Sequence, residues 1–227
     1  MIKVFSFTLF GDQDRYCKGM LCNVEEIEKR FPDFKIWIYI GDSVPESILI
    51  ELANHSSVKL MFTGETGMVN KVYRYLPIDD PEVELMIVRD SDSRVYQRDE
   101  QSVHDFMKSE KGFQIIRDHR VHTIPILGGL FGVKKGCLEM PMIALLNIFF
   151  EHDVKRENFG YEDDQNFLRK WVYPRVVYDA YIQDEYDQHF EPPSMHVKIS
   201  TPRVFPDFIG QIYMFNEDGS QYTVCGP

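Results

Sequence analysis

The chain has 227 residues, of which 44% are apolar, 27% charged and 14% aromatic, and this composition excludes disorder, collagen-like repeats and a disulfide scaffold. Its 25 lysines and arginines face 36 aspartates and glutamates, a formal net charge of −11, which argues against nonspecific binding to DNA, RNA or an anionic membrane surface. A phosphate bound by such a chain must be met by a few placed cations or by a metal.

In chain order, Val4–Leu9 reads as a first strand, followed by a loop over Gly11–Asp14. Met20, Val24, Ile27 and Phe31 recur at helical spacing among acids, which predicts an amphipathic helix over 17–31. Lys35–Ile40 is a second strand. Ser43 with Glu46 has the pattern of a capping box opening a helix that runs to Ala53. Val58–Phe62 is a third strand, 66–76 is helical, Glu84–Val88 is a buried strand and 99–109 is helical. Phe113–Ile116 suits another strand. Met140–Phe150 and Glu162–Val172 read as helices, Val176–Ile182 and Phe208–Phe215 as strands, and Pro192–Pro193 and Pro202–Pro206 as loops. The alternation of strands and helices predicts an α/β fold with a mostly parallel sheet, in one domain without a linker.

The N-terminal run turns acidic at Asp12 and Asp14, too soon for a signal peptide. The longest apolar stretch, Met140–Phe150, is too short to span a bilayer. Cys17, Cys22, Cys137 and Cys225 lack the spacing of a zinc knuckle and read as reduced thiols. The expectation is a soluble, cytoplasmic protein.

The informative segment is Leu85-Met-Ile-Val-Arg-Asp-Ser-Asp-Ser-Arg94. A buried strand delivers Asp90 and Asp92 at its carboxyl end, where open α/β sheets bind ligands. Two carboxylates one residue apart can serve Mg²⁺ or Mn²⁺, hard cations that use one or two carboxylates together with substrate phosphates. Nearby arginines, Arg74 and Arg94 among them, can make bidentate phosphate contacts.

With Arg89-Asp-Ser-Asp-Ser-Arg94 stand Arg117-Asp-His119, Ile126-Leu-Gly-Gly-Leu-Phe-Gly132 and Tyr161-Glu-Asp-Asp-Gln-Asn-Phe-Leu168. Phe7-Thr8-Leu9-Phe10-Gly11 with Tyr16, Gly19 and Asn23, Tyr73-Arg74-Tyr75-Leu76-Pro77, Thr201-Pro202-Arg203 and Phe208-Ile-Gly-Gln-Ile-Tyr213 complete the set. This ordered series, spread over most of the chain, resembles a family of small GT-A-fold glycosyltransferases of bacteria and large DNA viruses, the capsid-glycosylating enzymes of chlorella viruses included.

The resemblance implies a single GT-A domain over 1–227, with a nucleotide-binding half (1–110) and an acceptor and sugar half (111–227), and a central mostly parallel mixed sheet flanked by helices. It implies transfer of a sugar from a UDP- or GDP-sugar to a glycan or protein-linked glycan, with Mn²⁺ or Mg²⁺, and in host cytoplasm if the chain is viral. Phe7, Thr8, Tyr16 and Arg74 become candidate donor contacts, with Arg94. Asp90 would hold the donor ribose or the metal, and Asp92 the metal. Asp118 and His119 would meet sugar hydroxyls, and Gly128 and Gly129 would let backbone amides approach the sugar. Asp164, with Asp163 second, would be the base that deprotonates the acceptor hydroxyl in an inverting displacement. Gln183–Asp184 stands where the family carries a His-Asp pair, so the third metal ligand is Asp184, His189, His196 or water. Competing readings are a metal-dependent phosphohydrolase, which usually places Asp-x-Asp after its first strand, a nucleotidyltransferase, which wants a glycine-rich basic loop near the N-terminus, and a carbohydrate-binding protein without catalysis.

Overall fold

A computed structural model describes residues 1–204 and 207–224. Its strands are β1 (Ile2–Leu9), β2 (Phe34–Ile40), β3 (Val58–Phe62), β4 (Val83–Val88), β5 (Phe113–Arg117), β6 (Phe131–Lys134), β7 (Ala180–Asp184), β8 (His196–Val197), β9 (Tyr213–Phe215) and β10 (Gln221–Thr223). Its α-helices are α1 (Asp14–Arg30), α2 (Glu46–Ala53), α3 (Gln97–Lys108), α4 (Met142–His152), α5 (Asp163–Phe167) and α6 (Tyr173–Val176). A long 3₁₀ segment covers Gly67–Asp79, and a π turn, Leu168–Val172, joins α5 to α6.

Eight strands form one sheet in the order β3-β2-β1-β4-β6-β5-β7-β8. All pairings are parallel except the two made by β6, which runs against β4 and β5. Both halves of the chain therefore feed one sheet. Strand residues alternate between two apolar layers, as the period of two requires. Phe5, Phe7 and Leu9 pack with Met20, Val24 and Ile27 of α1, Leu52 of α2, and Val103 and Phe106 of α3. Val4 and Val88 face the other layer, with Val72 and Tyr75 of the 3₁₀ segment, Leu145 and Phe149 of α4, and Phe167 and Leu168.

The predicted order of elements holds through β5, and the departures have local causes. The capping box does not form. Ser43 sits in the left-handed region at φ 65° with its hydroxyl on Asp42, and α2 starts after Pro45. The region 66–76 is 3₁₀ rather than α-helical and runs on through Pro77. The strand expected over 176–182 is delayed, because 173–179 remains helical until β7 begins at Ala180. The strand expected over 208–215 is cut to β9, because Gly210 at φ 90° breaks the extended run. β6, just after Gly128 and Gly129, is not among the predicted strands. Cys17, Cys22 and Cys137 are free thiols. Cys225 and Pro206 lie outside the described residues. No helix among the described residues is long and apolar enough to cross a membrane.

Candidate active site

A cleft of about 410 Å³ opens at the carboxyl ends of β1 and β4 and the start of β6. Antiparallel β6 brings the residues that precede it, Gly128 and Gly129, to the edge where β4 releases Asp90. Thr8, Tyr16, Arg74, Asp90, Asp92, Gly128, Gly129 and Asp164 all line this cleft, so eight of the candidate residues meet there.

The Asp90–Asp92 turn is fixed from behind by α1. Asn23 donates to the carbonyls of Ser91 (3.2 Å) and Ser93 (2.8 Å), and its own oxygen accepts from the Val95 amide (3.3 Å). Gly19 is what lets the helix come so near. A Cβ there would lie 2.3 Å from the Ser91 carbonyl oxygen. Ser93 closes the turn onto the Asp90 carbonyl, and the Tyr213 amide donates to the Asp92 carbonyl at 2.9 Å.

The two carboxylates differ. Asp90 is ion-paired with Arg74. Burial raises its carboxyl, but the adjacent guanidinium outweighs this and holds it below the usual range. Asp92 is 8% exposed, and its carboxylate accepts no hydrogen bond from any described side chain. Burial, and then the charge of Asp90, push it up to about 6. It is a buried acid with no ion-pair partner among the described residues.

Asp164, at the start of α5, faces the same space. Lys71 donates to one of its oxygens (3.1 Å), and Arg74 (3.2 Å) and Tyr75 (3.4 Å) donate to the other. The paired glycines make room for this cluster. A Cβ on Gly129 would fall 2.1 Å from an Asp90 oxygen, and one on Gly128 would meet Asp164, Arg74 and Tyr75 at 2.8–3.0 Å. Their service to the protein's own side chains explains them without any sugar against the backbone.

The remaining candidates lie outside the cleft. Phe7 is fully buried against α1 and α3, on the opposite parity from Thr8. Arg94 lies over the rings of Tyr213 and Phe215 and donates to Gln221 (2.9 Å), so it anchors the β9–β10 hairpin. Asp118 is fully buried between Arg98 and Arg203 and accepts from the Ile209 amide. His119 stacks on Phe208 at 4.1 Å. Asp163 accepts from the Gly160 amide at 2.7 Å and closes the loop before α5. Asp184 is fully buried, with its oxygens taken by Arg117 and by the Tyr186 and Gln188 amides. Gln183 bonds Ser102 and Gln114 in the core. His196 sits between Asp187 and Glu191, and His189 is exposed. No cluster of three or more metal-ligating side chains occurs among the described residues.

Sequence reading missed Arg15, Lys71 and His122, which also line the cleft, and the contribution of the C-terminal tail through Gly210 and Ile212. Lys71 falls on a predicted helix, Arg15 falls between a predicted loop and the predicted helix over 17–31, and nothing in the local pattern marks either as facing a cleft. The tail carried one signal, the Phe208–Tyr213 segment quoted above.

No protein-family model matches the chain, and no curated protein matches it in sequence. Solved structures do match in architecture. A glycosyltransferase involved in glycosylation of the major capsid of PBCV-1 is similar with a TM-score of 0.51 and 17% identity, over 82% of either chain. The galactosyltransferase LgtC, solved with donor and acceptor sugar analogs, has a TM-score of 0.51 and 12% identity over 79% of this chain and 73% of its own. The Streptococcus pneumoniae glycosyltransferase GlyE has a TM-score of 0.51 and 15% identity over 82% of this chain and 46% of its own. What is shared at these identities is the architecture, and the chain has the GT-A fold.

Proposed function

We propose that the chain is a glycosyltransferase that moves a sugar from a UDP- or GDP-sugar to a glycan or protein-linked glycan, with Mn²⁺ or Mg²⁺ at Asp92 and Asp90. The observation that carries this reading is Asp92, a buried carboxylate without a side-chain donor, beside a second carboxylate in the cleft of a GT-A fold. The donor set is oxygen only, which suits a hard divalent cation, and its small size suits a metal completed by water and substrate phosphates. Held there, such a cation would supply positive charge to a diphosphate leaving group.

The chain's own residues supply the rest. Arg74 fixes Asp90 and Asp164 relative to each other. Asp164 is the carboxylate assigned to take the acceptor proton in an inverting displacement. Among the described residues, its Oδ1 accepts from Lys71 alone, so it keeps a lone pair that an acceptor hydroxyl can meet beside the lysine, whose side chain is 18% exposed against 6% for Arg74. Asp163, Asp118 and Asp184 are assigned to holding loops and tail, outside the chemistry.

The test is a thermal-shift panel of nucleoside diphosphates with and without Mn²⁺, followed by slow hydrolysis of matching sugar donors. UDP or GDP should stabilise the protein only with the metal. A panel in which no nucleotide shifts the melting temperature refutes the reading.

A further inference from the structure

Four carboxylates line the cleft, Asp12, Asp90, Asp92 and Asp164, against three permanent cations, Arg15, Lys71 and Arg74. Two of those cations are spent internally. Lys71 pairs with Asp164, and Arg74 with Asp90 and Asp164. Arg15, in the first turn of α1, has no carboxylate within ion-pairing distance among the described residues. Its guanidinium lies 4.3 Å from the centre of the Tyr16 ring and donates to the Tyr16 hydroxyl. Its Nε is buried with no hydrogen-bond partner.

A guanidinium with a buried N–H unmet and no counter-ion is an incomplete arrangement. Leaving such a donor unpaired costs free energy, and an anion arriving from the cleft removes that cost. Tyr16 holds the planar fork in place beforehand, so little side-chain freedom is lost when the anion binds.

Resting on the transferase reading above, we infer that Arg15 is the cleft's diphosphate contact, a specificity residue that recognises the charged portion of a nucleoside diphosphate in the cleft that Asp90 and Asp92 also line. The guanidinium keeps its bond to the Tyr16 hydroxyl and presents Nε–H and a further N–H group to the phosphate oxygens. In an acidic chain, this one arginine together with the metal accounts for binding of an anionic donor without a basic surface. Recognition of the nucleoside is left to other groups.

The experiment titrates UDP, GDP, uridine and guanosine, each in Mn²⁺, into the wild-type protein and into the Arg15→Gln and Arg15→Lys variants. Arg15→Gln should weaken the preferred diphosphate about 10- to 100-fold, as loss of a charge-assisted hydrogen bond implies. Nucleoside affinity should stay within about twofold. Arg15→Lys should fall between, because it keeps the charge but not the fork. Diphosphate affinity unchanged in Arg15→Gln while the wild type binds overturns the inference and leaves the transferase reading standing. Equal weakening of nucleoside and diphosphate also overturns it, since Arg15 would then only support the Tyr16 ring. A wild-type protein that binds no diphosphate defeats the transferase reading itself, and the inference falls with it.

Discussion

Asp90 and Asp164 are held by the two terminal nitrogens of a single guanidinium, that of Arg74. One comes from the loop after β4 and the other from the start of α5, so Arg74 ties these two walls of the cleft together. Arg74→Met should leave Asp164, whose side chain is 2% exposed, with Lys71 and Tyr75 alone. Breaking a buried pair from one side costs about 3–5 kcal/mol, a fall in melting temperature on the order of 10 °C for a chain of this length. Adding Asp164→Asn removes the orphaned charge and should recover part of that loss. A double-mutant cycle with strictly additive losses would show that the two groups are not coupled.

The two glycines before β6 make different demands. Gly129→Ala presses on Asp90, whose side chain is 45% exposed and can swing towards solvent. It should lower the melting temperature by only a few degrees while abolishing metal-dependent stabilisation by nucleotide. Gly128→Ala presses on Asp164, Arg74 and Tyr75, which are buried and cannot yield. It should be the more destabilising of the two, by about 1–3 kcal/mol more, the usual scale of overpacking. Thermal melts of the two purified variants, with and without UDP and Mn²⁺, check both the order and the split.

Asp92 predicts a trade between stability and binding. Its carboxyl is raised to about 6, so the folded state carries no penalty below the unfolded value near 3.8 and the full penalty above about 6. In metal-free buffer, Asp92→Asn should therefore match the wild type at pH 4 and exceed it at pH 8 by ~1–3 kcal/mol. The same variant should lose stabilisation by Mn²⁺ and nucleotide. Chemical denaturation at the two pH values, in chelator, tests the sign; a less stable variant at pH 8 contradicts it.

Much of the fold was legible because its signals are local. Apolar periodicity located β1 to β5, and the apolar run ending in Asp90-Ser91-Asp92 located the cleft. Other features depend on partners remote in sequence. The alternation in Val4–Leu9 shows that Phe7 and Thr8 face opposite ways, but only the packing of α1 decides that Phe7 enters the core and Thr8 the cleft. Asp118 and Asp184 look like ligands at strand ends until Arg98, Arg203 and Arg117 are seen to occupy them. The second, shorter sheet pairing of the tail is equally silent, since Gly210 ends a run whose composition reads as strand throughout.

His122, which lines the cleft, gives the chain an acid-labile element. Burial is the main cause; it outweighs the upward pull of Asp118 and Asp184 and, with His119 and Arg203 nearby, lowers the imidazole to about 4. Its Nδ1 accepts a hydrogen bond from the Asp118 amide at 3.1 Å, so protonation there would set donor against donor. A lowered folded value means that its stabilising contribution is complete above the unfolded value near 6.5 and is lost as pH falls towards 4. The loss is ~2–3 kcal/mol over that window. Asp92 acts in the opposite direction between about 6 and 3.8, so the wild-type profile alone mixes the two. The comparison that isolates His122 is His122→Asn, whose side-chain oxygen can accept from the same amide but does not titrate. Its overall stability should be lower, because the smaller side chain leaves space. Its stability should fall less steeply than the wild type's from pH 6.5 to 4, and parallel slopes would remove His122 as the cause.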